Sequence, residues 1–237
     1  MKQTILLGVI AIAGAAGLRA AAIADCDSLP STTFAGLEAA GSCIIGDKLY
    51  DNFSLQSNAT GGATPVAAGG VTYSTVDNGL AANGFNFAFI LDAVANQSND
   101  LLIGYDVTVW TGADLIASAD LVVSGAAATG AGSATTVGET ICPGGDIAGC
   151  VAALALSADV VPAPGVSVLD DSVNFPGVTE LGVSKDINVL GGPNGVASIS
   201  GITETVDQIA PGDTPEPISF VLMGAGLLGI GLLRRKA

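Results

Sequence analysis

Phe85-Asn86-Phe87-Ala88-Phe89-Ile90-Leu91-Asp92 repeats its large apolar side chains with a period of two. In an extended chain Phe85, Phe87, Phe89 and Leu91 fall on one face and Asn86, Ala88, Ile90 and Asp92 on the other, the pattern of a strand with one buried side. The next stretch repeats the reading: Ile103, Tyr105, Val107 and Val109 alternate with Gly104, Asp106 and Thr108. Working outward, residues 48–55, 71–76, 115–123, 135–141, 151–157, 166–173, 181–190 and 196–206 are further strand candidates. Between them lie turn-forming clusters such as Asp77-Asn78-Gly79, Gly144-Gly145-Asp146 and Gly191-Gly192-Pro193-Asn194-Gly195. Many short strands separated by turns predict an all-β fold, an antiparallel β-sandwich over residues 25–210. A β-solenoid is the alternative, but no fixed internal period supports it. The alanine-rich stretch 148–158 is open to a helical reading.

Composition agrees. Of 237 residues 49% are hydrophobic and only 12% charged, with 33 Gly and 10 Pro, which disfavours long surface helices laced with Glu and Lys. The length suffices for one sizeable domain. There is no histidine, which removes Ser-His-Asp and Cys-His catalysis and His-ligated zinc. No catalytic residue and no cofactor is predicted.

The two ends differ from the middle. Residues 1–24 read as a secretory signal peptide: a basic Lys2, an apolar stretch over 5–18, and Ala22-Ile23-Ala24 as a small-x-small cleavage site. Arg19 interrupts the run, which argues against an N-terminal membrane anchor. Asp25 before Cys26 argues against a lipid-modified cysteine. At the other end, residues 218–233 carry no charge and are followed at once by Arg234-Arg235-Lys236. This is a single transmembrane helix with a basic cytoplasmic tail over 234–237, placing the preceding domain outside the inner membrane. Sixteen residues at ~1.5 Å each reach about 24 Å, short against a ~30 Å hydrocarbon core and therefore suited to a temporary anchor. A Pro-rich linker, residues 211–217, precedes it. Pro215 and Pro217 fix their own φ and bias the residues before them toward extended backbone, so Glu216 is presented in an accessible strand-like segment and not in the helix.

Pro215-Glu216-Pro217, the apolar 218–233 helix and Arg234-Arg235, in that order and at that spacing, resemble the C-terminal sorting signal of bacterial PEP-CTERM proteins. The resemblance implies recognition by exosortase, a membrane-embedded cysteine transpeptidase-like enzyme that removes the helix. It also implies delivery to the cell surface or to an exopolysaccharide and biofilm matrix. Softer similarity to the same proteins extends over residues 26–53, with Gly46-Asp47-Lys48 leading into Tyr50 and Phe53, and over short pieces at 183–187 and 202–205. It carries over no active-site residue.

Four cysteines in a secreted chain read as disulfides rather than metal ligands. Three pairings are possible. Cys26 with Cys43 and Cys142 with Cys150 is favoured, because local pairs close small loops around Gly, Pro and Asp and need no assumption about strand order.

Residues 25–214 hold only Lys48 and Lys185 against 21 of the 22 carboxylates, leaving a net charge of −19. Nucleic acid and anionic membrane surfaces are therefore poor partners. Divalent cations are the natural counter-charge. The densest oxygen clusters are Asp25-Cys26-Asp27, Asn96-Gln97-Ser98-Asn99-Asp100 and Asp170-Asp171, none with EF-hand spacing, and no metal site is assigned to them. Asn52-Phe53-Ser54, Asn58-Ala59-Thr60 and Asn96-Gln97-Ser98 match a glycosylation acceptor pattern that arises often by chance. Paired carboxylates suffice for glycoside hydrolysis, but aromatics to line sugar subsites are few. The expected role is structural or adhesive. The alternatives are a carbohydrate- or calcium-binding extracellular module and a permanently membrane-anchored surface protein.

Overall fold

A computed structural model describes residues 22–79, 82–147, 150, 153–160 and 168–210. The expected signal helix as far as residue 21, the sorting motif and the transmembrane helix lie outside the described residues. Among the described residues no helix is long and apolar enough to cross a membrane.

These residues form twelve strands: β1 (Ser42–Ile45), β2 (Lys48–Thr60), β3 (Thr72–Asp77), β4 (Asn83–Ala93), β5 (Ser98–Val109), β6 (Leu115–Ser124), β7 (Ala127–Thr129), β8 (Ala134–Pro143), β9 (Leu154–Val160), β10 (Asp170–Val178), β11 (Glu180–Leu190) and β12 (Val196–Ile209). One α-helix, α1 (Phe34–Ala40), precedes them. The strands make two antiparallel sheets, β1-β2-β5-β11-β8-β9 and β10-β6-β12-β4-β3, with β7 also beside β12. Inner residues of both sheets share one core, the layering of a β-sandwich.

Alternation explains the layering. Phe85, Phe87 and Leu91 on β4 are fully buried, and Leu101, Ile103 and Val107 on β5 meet them from the other sheet. Aromatics concentrate here: Tyr50, Phe53, Tyr73, Phe85, Phe87 and Tyr105 lie in mutual ring contact, Tyr50 to Phe85 at 5.0 Å and Phe85 to Phe87 at 5.3 Å. The alternation breaks once in β2. Two residues of β2 are inserted between its Asp51↔Asp106 and Ser54↔Gly104 pairs where β5 supplies one, and Asn52 takes a left-handed φ of 54°. This bulge changes the phase, so that Tyr50 before it and Phe53 after it both face the core.

The alanine-rich stretch is not helical where described: residues 154–160 are β9, paired to β8 along its length. The edge of β8 offers partners to the backbone groups on the facing side of this segment, and Leu156 gains burial there. The short α1 was not anticipated. Phe34 and Leu37 on one of its faces are fully buried, and Phe34 meets Phe53 and Phe87. Cys26 is joined to Cys43 and Cys142 to Cys150.

Both lysines of the domain are 0% exposed. Lys48 Nζ lies 3.1 Å from Asp47 Oδ1, and burial holds its ammonium below the ordinary lysine range. Lys185, on β11, is deeper. Its Nζ donates to Glu139 Oε2 on β8 and to Glu204 Oε2 on β12, both at 2.7 Å. The second oxygen of each carboxyl, Oε1, is buried without a hydrogen-bond partner. Burial, then the neighbouring Glu139, push the Glu204 carboxyl far above the usual carboxylate range, against the pull of Lys185. Tyr105 places its ring 6.0 Å from the ammonium.

Candidate functional site

The outer face of the β2-β5-β11 part of the first sheet is a polar groove, and the strand pairing dictates its floor. Residues of even number on β5 and β11 point away from the core, so Ser54, Gly104 and Ser184 form one cross-strand row and Gln56, Leu102 and Asp186 the next. Small residues keep the floor low. A Cβ on Gly104 would come within 2.7 Å of Ser54 Oγ.

Asn52, Asp106 and the turn carrying Asp146 and Ile147 line the groove's end at the Asp106–Gly182 row. That turn belongs to the loop between Cys142 and Cys150, so a disulfide fixes the wall. It crosses directly over β11, where a Cβ on Gly182 would lie 2.6 Å from the Ile147 backbone nitrogen. The resulting cavity is about 400 Å³, and it continues along Leu102 into a second of about 250 Å³ lined by Gln56, Asn58, Asp100 and Asp186.

The bulge supplies the most specific polar pair. Asn52, turned outward by its left-handed backbone, donates through Nδ2 to Asp106 Oδ2 at 2.7 Å. Asp106 is only 7% exposed. Burial raises its carboxyl above the usual range, the Asn52 hydrogen bond opposes that shift, and Asp146 adds to it. Asp51 is raised by burial and by Asp106 and Glu180, and Asp100 by burial and Asp186. Carboxylates, amides and hydroxyls with no cation among them can hydrogen-bond a neutral polyhydroxyl chain or surround a hard cation. They offer an anion no positive charge.

The oxygen clusters read from sequence make separate contacts, and of them Asp25 and Asp27 line one cavity with Asp77. Asn99 points inward and donates to Thr64 O, while Gln97 accepts from the Val94 N–H within its own turn. Asp171 accepts from the Ser157 and Ser172 N–H groups. Asp27 accepts from the Thr75 hydroxyl. Among the described residues no group of three or more His, Cys, Asp or Glu side chains is arranged to hold a metal ion. Pro215, Glu216, Pro217, Arg234 and Arg235 lie outside the described residues.

Sequence reasoning missed the Lys185, Glu139 and Glu204 set, although a signal for it existed. Each sits on the apolar phase of its strand: Lys185 between Val183 and Ile187, Glu139 between Val137 and Ile141, Glu204 between Ile202 and Val206. A charge in that phase is a charge in the core.

Among solved structures, the chain is similar to the enzymatically active domain of tailspike protein 4 of bacteriophage CBA120, at 14% identity and a TM-score of 0.30, over 67% of this chain and 19% of that one. It is also similar to TmCBM61, solved in complex with β-1,4-galactotriose, at 9% identity and a TM-score of 0.30, over 63% of this chain and 86% of that one. The family 11 carbohydrate-binding module from Clostridium thermocellum, in complex with a mixed-linked tetrasaccharide, follows at 13% identity and a TM-score of 0.25, over 64% and 88%. Likenesses at these scores carry no argument about this chain. No curated protein matches the sequence. Residues 213–236 match the PEP-CTERM protein-sorting motif. The chain therefore carries, at its C-terminal end, the sorting signal of PEP-CTERM proteins.

Proposed function

We propose that this protein is exported, held by its C-terminal helix, cut near Pro215-Glu216-Pro217 by an exosortase-like membrane enzyme, and passed to the cell surface or an exopolysaccharide matrix. Its role there is structural or adhesive and not catalytic. The match of residues 213–236 to the sorting motif carries this reading. Arg234 and Arg235 hold the tail on the cytoplasmic side while the prolines keep the cutting region extended. Two disulfides and a strongly acidic domain suit life outside the cell. Mass spectrometry of the protein from its own host is the test. The expected product begins near Asp25 and ends before Phe220 when the processing enzyme is present, and retains its tail when that enzyme is deleted. Intact peptides spanning 220–237 in the mature product of the normal host would instead make it a permanently anchored surface protein.

The groove beside Asp106 favours a second reading, a carbohydrate- or calcium-binding surface, because it gathers hydrogen-bonding side chains around a fixed low floor. Calorimetric titration with neutral oligosaccharides and with calcium, repeated on Asp106→Asn, tests it. Binding lost in the variant supports the reading, and no heat from either probe removes it.

A further inference from the structure

We propose that Lys185 and Glu204 are the two ends of an amide cross-link that forms inside the folded protein, joining the two sheets through their side chains. The geometry is that of a reacting set. One amine nitrogen touches two carboxyl groups at 2.7 Å each, and all three residues are 2% exposed or less. Contact of this kind, fixed by three strands, replaces a chance encounter with a standing one.

Charge defines the roles. One ammonium between two carboxylates would leave an uncompensated negative charge in a dry core, which is costly. A proton on one of the two removes it, and Glu204, which comes from the facing sheet opposite Phe85 while Glu139 pairs with Lys185 within its own sheet, is the one that burial drives to take it. Glu204 is thus the carboxylic acid, the electrophilic form, and Glu139, the second carboxyl on the same nitrogen, is the group that takes its proton. In water an amine and an acid do not condense, because their ions are well hydrated. Buried ions lack that hydration, and a desolvated lysine amine is a nucleophile.

The step balances. Glu139 takes one proton from the Lys185 ammonium, and the free amine attacks Cδ of Glu204. The N–C bond forms, the C–OH bond breaks, and one water leaves carrying the hydroxyl and a second nitrogen proton. Glu139 keeps the first proton, so a neutral set gives a neutral product. No oxidant or further reactant is needed. Tyr105, whose ring lies 6.0 Å from Lys185 Nζ, and Phe85, cross-strand to Glu204, shield the product from the water that would reverse it.

Intact mass of the reduced, denatured protein from its host tests the proposal directly. The expected chain is lighter by one water than its own end-points require. Trypsin, which needs a free lysine, cuts it after Lys48 and leaves the bond after Lys185 whole. Fragment spectra place the link on Glu204. Glu139→Gln, if folded by circular dichroism, is expected at full mass and cut after Lys185. Lys185→Met supplies a full-mass reference. A wild-type chain of full mass cut at Lys185 overturns the proposal, as does a link found on Glu139. A folded Glu139→Gln chain that still lacks the water overturns the role given to Glu139.

Discussion

Asp106 shows how one side chain sets a pH response. Its carboxyl is raised by burial, so the folded state holds the proton more tightly than the unfolded chain does. Stability from this group is fully present below the ordinary aspartate range and is lost as pH rises through the raised value. Asp106→Asn removes that loss while keeping an oxygen to accept from Asn52. The variant is expected to unfold at higher urea than wild type at neutral pH, with the difference vanishing in acid. Gly182 makes the opposite case. Its missing Cβ leaves room for the backbone of Ile147 at 2.6 Å, so Gly182→Ala must displace the groove wall. It is expected to cost about 1–3 kcal/mol in urea unfolding. Neither position announces itself in sequence. Gly182 is one of 33 glycines, and Asp106 occupies the outward phase of a strand, where carboxylates are ordinarily hydrated.

Strands were the most legible elements, because burial on one face imposes a period of two that no turn or helix imitates over eight residues. The stretch 85–92 gave β4 its inner face, and 181–190 matched β11 to within one residue. Bulges and short helices were not legible. The β2 bulge shifts phase between Asp51 and Ser54 through a single Asn backbone, and α1 is seven residues long, too short for a helical period to stand out. Disulfide pairing was legible only through loop length. The bond between Cys142 and Cys150 spans a separation of 8 residues and holds the wall of the groove. Replacing both cysteines with serine is expected to lower the unfolding free energy by about 2–3 kcal/mol. Amide exchange should rise in residues 144–147 and leave β4 and β5 protected.

For the molecule as a whole, the acid-side carboxylates act together. Asp51, Asp100, Asp106 and Asp120 are all raised, burial being the first cause in each. All four therefore contribute with the same sign, and the melting temperature is expected to rise on going from about pH 8 to about pH 5. Added salt at neutral pH should raise it as well, by screening a domain whose two cations are hidden. Scanning calorimetry at a few pH and salt values checks both. Architecture was legible as a layered β protein. Strand order was not, since pairs such as β5 with β11 join segments distant in the chain. One such pairing bears on manufacture. The last described strand, β12, occupies the middle of its sheet between β6 and β4. On the export route proposed above, a polypeptide threaded outward from its leading end must therefore wait for residues 196–209 before that layer can close. Assembly and release become successive events, and a chain severed too early would leave a gap at the centre of the sheet rather than a frayed edge.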